Sequence, residues 1–277
     1  KDLKKVKVLE HGNLRARIEF SWEYGHSKIV QIMIVYKNNR RIDFQTRVDW
    51  REQQQLLKVA FPVNIRATEA TYDIQFGNVK RPTHWNTSWD LAKFETVGHQ
   101  WVDLSERNYG VSLLNDCKYG HDVKGHTIRL SLIKSGKYPD PLADQGEHIF
   151  TYSLLPHKGD WVEGQTVKEA WKLNNPLSFY LGKGGNEGKV SLFKSSNEFI
   201  IVDTVKKAED SEKIVMRVHE FAGSRGPVTI TSDFRIVSWQ ECNLMEEPVG
   251  SVHKENKIMF DINPYEIKTF LVELKKK

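Results

Sequence analysis

Apolar residues recur at every second position over long stretches of this 277-residue chain, and a period of two builds strands rather than helices. RARIEFSWEY (15–24) sets Ala16, Ile18, Phe20 and Trp22 on one face. IVQIMIVYKNN (29–39) continues the pattern, and RRIDFQTRVDW (40–50) aligns Ile42, Phe44, Thr46, Val48 and Trp50 opposite its charges. Between these two runs, Asn38-Asn39 is a hairpin signal, because Asn tolerates the positive φ that tight turns need. Further strands are expected at 56–65, 71–79, 109–114, 127–133 and 148–155. Helical periodicity stands out only near 163–174, around Val167-Lys168-Glu169-Ala170-Trp171. The expectation is an all-β chain.

SFYLGKGGNEGKV (178–190) interrupts the alternation with Gly182, Gly184, Gly185 and Gly188, the composition of a linker or exposed turn. Beyond it, 199–208, 213–222, 227–234 and 265–274 read as short strands, with Ser224-Arg225-Gly226-Pro227 as an intervening turn. Their spacing suits a small β-sandwich. Two domains are expected: a large β domain over 1–180 and a small sandwich over 190–277.

Composition excludes several classes. The 41 basic residues are scattered among 36 acidic ones, leaving a net charge of +5, and only the Lys275-Lys276-Lys277 tail is a block. A nucleic-acid protein concentrates its charge on one face, so no such partner is expected. No run of about 18 apolar residues exists to cross a membrane. Cys117 and Cys242 lie far apart and form no CxxC pair, so no disulfide is expected and a reducing, cytoplasmic compartment is favoured. The opening KDLKKVKVLEHG is charged and already alternating, unlike a signal peptide, and its lack of an initiator Met suggests a cut point. The sequon Asn86-Thr87-Ser88 then reads as chance.

The familiar catalytic motifs are missing: no HExxH, GxSxG, GxxxxGK[ST] or GxGxxG. His121 and His126 are five apart in a turn-like stretch, poor spacing for a metal pair, and His219-Glu220 reads as a surface pair on a strand. Polar density gathers in three tracts. RPTHWNTSWDLAKFE (81–95) mixes His84, Trp85, Asn86, Trp89 and Asp90. NDCKYGH (115–121) packs Asn115, Asp116, Lys118 and Tyr119 into one turn. KYPDPLADQGEH (137–148) holds Asp140, Asp144, Gln145, Glu147 and His148 in a loop stiffened by Pro139 and Pro141. Aromatic faces stack on sugar rings while amides and carboxylates match hydroxyls. Acids in turns equally cap backbone N–H groups. The residues alone leave both readings open.

A resemblance separates them. IVQIMIVYKNNRRIDFQTRVDW, LLKVAFPVNIRATEATYDIQFGNVKRPTHWNTSWD, VGHQWVDLSERNYGVSLLNDCKYGHDV and RLSLIKSGKYPDPLADQGEHIFTYSLLPHKGDW closely resemble the C-terminal region of glycoside hydrolase family 38 α-mannosidases. The likeness is to the branch with bacterial and cytosolic-type enzymes. NLMEEPVG (243–250) and NPYEIKTFLVEL (263–274) look like that family's closing sandwich. The resemblance implies an antiparallel supersandwich of the galactose mutarotase type followed by a small β-sandwich. It implies a parent enzyme that is a zinc-dependent, retaining exo-α-mannosidase acting on terminal α-mannosyl residues. The family's aspartate nucleophile and zinc ligands belong to an N-terminal catalytic domain, and nothing here matches them. This stretch is therefore expected to hold no catalytic residue, metal or cofactor.

The partners implied are that catalytic domain of the same chain and mannosides or oligosaccharides, with self-association through whatever surface is left uncovered. The implied role is scaffold and rim of the mannose pocket. Asp140, Asp144, Gln145, His148, Asn115, Asp116, Lys118, Tyr119, Trp85 and Asn86 are the candidate sugar contacts. A stand-alone carbohydrate-binding module is the alternative, resting on Trp85, Trp89 and Trp101. A free-standing aldose epimerase is a third reading, opposed by Glu147 and His148 being adjacent in a strand and so facing opposite ways. If NDCKYG joins 109–114 and 127–133 side by side, loop 134–147 starts at the far end. The family's shared pocket instead brings the two loops to one end.

Overall fold

The computed structural model describes residues 2–182 and 188–276; Gly184 and Gly185 of the glycine run and Lys277 of the basic tail lie outside the described residues. The chain divides into two compact units, one ending at Ser178 and the other beginning at Phe179. Every strand pairing described is antiparallel.

The first unit opens with β1 (Asp2–His11), β2 (Arg15–Tyr24), β3 (Ser27–Tyr36), β4 (Ile42–Trp50) and β5 (Gln55–Pro62). There follow β6 (Glu69–Ile74), β7 (Gly77–Pro82), the short helix α1 (Ser88–Ala92), β8 (Thr96–Val97), β9 (Trp101–Glu106) and β10 (Tyr109–Asn115). β11 (Gly120–Lys124), β12 (Thr127–Ser135), β13 (Gly146–His157) and α2 (Thr166–Asn174) complete it. Nine strands form one sheet in the order β1-β2-β3-β4-β13-β10-β9-β6-β7, and β5-β12-β11-β8 form a second. Trp50, Val102, Leu113, Phe150 and Tyr152 of the large sheet pack with Ile128, Leu130 and Val123 of the small one, so the core lies between the two faces.

The large sheet is also buried on its outer face, where α2 crosses β9 and β10. Polar struts hold the helix there. Asp103, at 2% exposure, accepts from Ser112 Oγ at 2.7 Å and lies 2.8 Å from His157 Nε2; Ser112 Oγ is 2.6 Å from Thr166 Oγ1 on α2. Asp43 accepts from Tyr36, Arg41 and Ser153, and Arg41 reaches Glu169 of α2 at 3.6 Å. Buried polar groups without partners cost about 1–3 kcal/mol each, so these pairings are what permits a covered face to carry charge. Burial pushes the Tyr36 hydroxyl up to about 12, with the Asp43 carboxylate it donates to reinforcing the rise.

The second unit comprises β14 (Lys194–Ser195), β15 (Ile200–Lys207), β16 (Ile214–Glu220), β17 (Gly226–Thr231), β18 (Arg235–Cys242), β19 (Ile258–Ile262) and β20 (Ile267–Lys275). Sheets β15-β16-β20-β18 and β14-β17-β19 enclose Met216, Val218, Ile230, Trp239, Ile258, Phe270 and Val272. It is a β-sandwich.

Several expectations need correction. The strand expected at 71–79 is two strands, β6 and β7, joined at Gln75-Phe76, where Phe76 takes φ +54. Strands 109–114 and 127–133 do not lie side by side: β10 belongs to the large sheet and β12 to the small one, so NDCKYG crosses between sheets. His219-Glu220 is no surface pair. His219 Nδ1 meets Asp203 Oδ2 at 2.7 Å, and the Glu220 carboxylate, fully buried, accepts from the backbone N–H groups of Ala222, Gly223, Ser224 and Tyr265. That carboxylate gathers two separate turns. Cys117 and Cys242 are both free, as expected.

Candidate functional site

The NDCKYG crossing begins where β10 ends. Asn115, buried at 1% exposure, donates through Nδ2 to the His99 carbonyl at 2.8 Å and accepts from the Lys118 N–H at 2.7 Å. Its own carbonyl takes the Asn174 amide of α2 at 3.1 Å. Asn115 is thus consumed in building the turn. Asp116 is only half consumed: its N–H and Oδ2 pair with the Thr151 backbone, while Oδ1 is buried with no hydrogen bond.

Lys118 and Tyr119 project from this frame. Lys118 Nζ stands 4.9 Å from the centre of the Phe150 ring, and Tyr119, about half exposed, meets His99 edge-on at 5.7 Å. An ammonium and a phenol therefore extend from a turn that Asn115 and Asp116 hold in place. Between Asp116 and Lys118 the Cys117 thiol is pushed up to about 11, by burial first and then by the Asp116 carboxylate beside it.

His121 enters β11 immediately after. It is fully buried, with Nδ1 3.2 Å from the Tyr119 carbonyl and Nε2 without a hydrogen bond. Burial lowers its pKa from 6.5 to about 4, helped by Lys58 and Arg81, so the ring is neutral at pH 7. His126 lies outside, exposed at the β11–β12 turn, so the two histidines do not converge. Among the described residues no three His, Cys, Asp or Glu side chains are grouped to hold a metal ion, so a zinc site does not fit this stretch.

The 137–148 loop enters β13 beside β4, whereas NDCKYG leaves along the β10 flank of the same strand. Thr151 pairs with Asp116, whereas the loop ends at Gly146, five residues or about 17 Å away. Much of its polarity holds its own shape. Asp140 accepts from Leu142 N–H, and Asp144, at φ +56, accepts from Lys134 N–H. Gln145 donates to the Glu52 carbonyl, His148 Nε2 meets the Asp144 carbonyl at 3.0 Å, and Glu147 pairs with Arg47.

Trp85 sits elsewhere again, beside Lys124 at the far end of β11, about 13 Å from Gly120. It lines a cleft of about 450 Å³ beside the edge strands β7 and β8, with His84, Arg81 and Lys93. Exposed Asn86 precedes Thr87, which caps α1 in a reciprocal pair with Asp90, and does not line that cleft. Of the tryptophans that favoured a binding module, Trp101 is removed: it is 2% exposed and stacks on Trp161 at 5.1 Å. The candidates thus fall in three places along β13 and β11, with NDCKYG between the other two.

One constellation was not anticipated. Ser112, His157 and Asp103 bring a hydroxyl, an imidazole and a carboxylate within hydrogen-bonding distance. The same nitrogen, Nε2, faces both Ser112 at 3.1 Å and Asp103, whereas a relay needs one ring nitrogen for each. All three are buried under α2, so they brace the fold.

Comparison with known proteins supplies the context. The profile of the glycosyl hydrolases family 38 C-terminal domain matches residues 1–142, and that of the family 38 C-terminal beta sandwich domain matches residues 200–270. The chain belongs to glycosyl hydrolase family 38 and corresponds to its C-terminal region. Alpha-mannosidase G of Dictyostelium discoideum is 43% identical over 95% of this chain, and alpha-mannosidase 2C1 of Homo sapiens is 36% identical over 95%. The chain spans 26% of the length of each. A crystal structure of an alpha-mannosidase from Enterococcus faecalis V583 superposes with a TM-score of 0.81 at 18% identity, over 99% of this chain and 35% of that one; it shares the fold.

Proposed function

We propose that this chain is the non-catalytic C-terminal region of a zinc-dependent, retaining exo-α-mannosidase, working as scaffold and as part of the rim of its mannose pocket. The observation that carries the reading is the likeness along 95% of the chain to alpha-mannosidases four times its length. Zinc and the aspartate nucleophile belong, on this reading, to the catalytic domain that precedes this region. On this reading the compartment is cytoplasmic, in keeping with two unpaired cysteines.

The rim is assigned to Lys118 and Tyr119; the unbonded oxygen of Asp116 is buried and out of a sugar's reach. The functional groups of Lys118 and Tyr119 are held in place yet not used up by the turn, whereas Asn115, Asp144 and Gln145 are spent on backbone contacts. Docking onto the catalytic domain is supported by exposed apolar runs. Leu177, Phe179, Tyr180 and Leu181 are each at least 84% exposed, and Trp89, Leu91 and Phe94 each at least 58%. Isolated exposed apolar residues are ordinary, but clustered ones mark contact surfaces.

The test is hydrolysis of an aryl α-mannoside with zinc present. The complete protein turns the substrate over, and the 277-residue chain alone does not. Turnover by this chain clearly above buffer overturns the assignment, as does a complete protein without mannosidase activity.

A further inference from the structure

The cleft at Trp85 has an electrostatic property that the rim reading does not use. Of its two carboxylates, one is neutralised by cations and the other only caps a helix. Asp122, with its side chain 8% exposed, is clamped between Lys58 and Arg129, and Asp90 Oδ2 accepts from the Thr87 N–H at the start of α1. The cations are not matched in the same way. Arg81 gives one N–H to the Val97 carbonyl at 2.8 Å and lies 4.4 Å over the Tyr72 ring, with no carboxylate within 4 Å among the described residues. Lys93 lines the cleft without a salt bridge among the described residues, and Lys124 rests its Nζ 3.8 Å over the Trp85 ring just beside it.

Burial is the main influence on Arg81, and it disfavours the charge; Tyr72 opposes it. A partly desolvated guanidinium without a counter-ion is stabilised by any anion that enters, and its planar fork matches two phosphate oxygens. Cations over aromatic faces keep that charge at the wall of the cleft. A volume of about 450 Å³ exceeds what a bare phosphate fills and falls within the range of small-ligand sites. Trp85 and His84 supply flat walls, and Asp90 Oδ1 takes no hydrogen bond among the described residues, which leaves an acceptor for a hydroxyl.

We propose that this cleft binds a monosaccharide bearing a phosphate group, with Arg81 and Lys93 on the phosphate and Trp85, His84 and Asp90 on the sugar. The site is separate from the Lys118–Tyr119 rim and does not depend on the mannosidase reading.

The experiment is calorimetric titration of the 277-residue chain with mannose 6-phosphate, mannose and inorganic phosphate in parallel. Mannose 6-phosphate is expected to bind at least tenfold more tightly than either of the others. Arg81→Gln should weaken it at least tenfold. Because Arg81 also holds Val97, Lys93→Ala, which removes no contact of the fold, serves as the second variant and should weaken binding about threefold. Equal binding of inorganic phosphate overturns the proposal in favour of a general anion patch. It is equally overturned by no binding at millimolar concentration, or by unchanged affinity in Lys93→Ala and a folded Arg81→Gln.

Discussion

His121→Phe should make the first unit less sensitive to acid. In the folded chain the imidazole is enclosed between the sheets, edge-on to Tyr72 at 6.5 Å, and its pKa falls from 6.5 to about 4. Burial is the principal cause; Lys58 on β5 and Arg81 on β7 add to it, while the Tyr119 carbonyl and Asp122 oppose it. The unfolded chain binds the proton more readily, so stability is full above pH 6.5 and declines as the pH falls toward 4. A drop from 6.5 to about 4, at about 1.36 kcal/mol per tenfold change in proton affinity, is worth roughly 3 kcal/mol. Phe keeps the ring and removes the titration. Urea unfolding followed by tryptophan fluorescence between pH 7 and pH 4 reads this directly, since Trp22, Trp50, Trp85, Trp89, Trp101, Trp161 and Trp171 all lie in the first unit and only Trp239 in the second. Wild type should lose about 3 kcal/mol more than His121→Phe over that interval. Parallel losses in the two proteins, or a wild type that gains stability on acidification, would refute the reasoning; His121→Gln repeats the comparison with a smaller side chain.

Other outcomes follow from the same contacts. Asn115→Asp puts a carboxylate oxygen against the His99 carbonyl where an amide donated, and should destabilise the first unit by about 2–4 kcal/mol, read as a lower urea midpoint. Glu220→Ala strands four backbone donors and should cost the second unit at least about 3 kcal/mol, read from Trp239 in the near-ultraviolet; a loss below about 1 kcal/mol contradicts its role as a turn anchor. Cys117, pushed up to about 11, should react with a disulfide reagent at pH 8 far more slowly than after unfolding, although it is exposed. Sedimentation at rising concentration should show self-association through the exposed apolar runs; a strict monomer at high concentration counts against them as docking surfaces.

Where one face of a strand is wet, the sequence could be read: Phe44, Thr46, Val48 and Trp50 alternate with the polar side of β4 because only one side meets the core. Where both faces are buried, alternation disappears. β10 is buried at every position after Tyr109, and its sequence VSLLN gives period two nothing to detect. The turn at Gln75-Phe76 escaped because its left-handed residue is Phe, not Gly or Asn. Helix α1 did leave a signal: Thr87-Ser88-Trp89-Asp90 is a capping box, overlooked among the aromatics of its loop. Glu220 looks like a surface residue in sequence because its partners come from residues 222–224 and from Tyr265, and no local pattern announces the second. Among the site candidates, composition located the polar loops but could not tell which side chains the turns consume. That division depends on backbone geometry: Asn115 and Asp144 look as available in sequence as Lys118 and Tyr119.

The rim assignment is tested most directly by kcat/KM of the complete protein on an aryl α-mannoside, comparing wild type with Lys118→Ala and Tyr119→Phe. Neither side chain anchors the turn, so melting temperatures should stay within about 2 °C. The account expects at least one of the two variants to lose tenfold or more in kcat/KM. Both retaining wild-type kcat/KM within twofold would contradict the claim that this turn borders the mannose pocket.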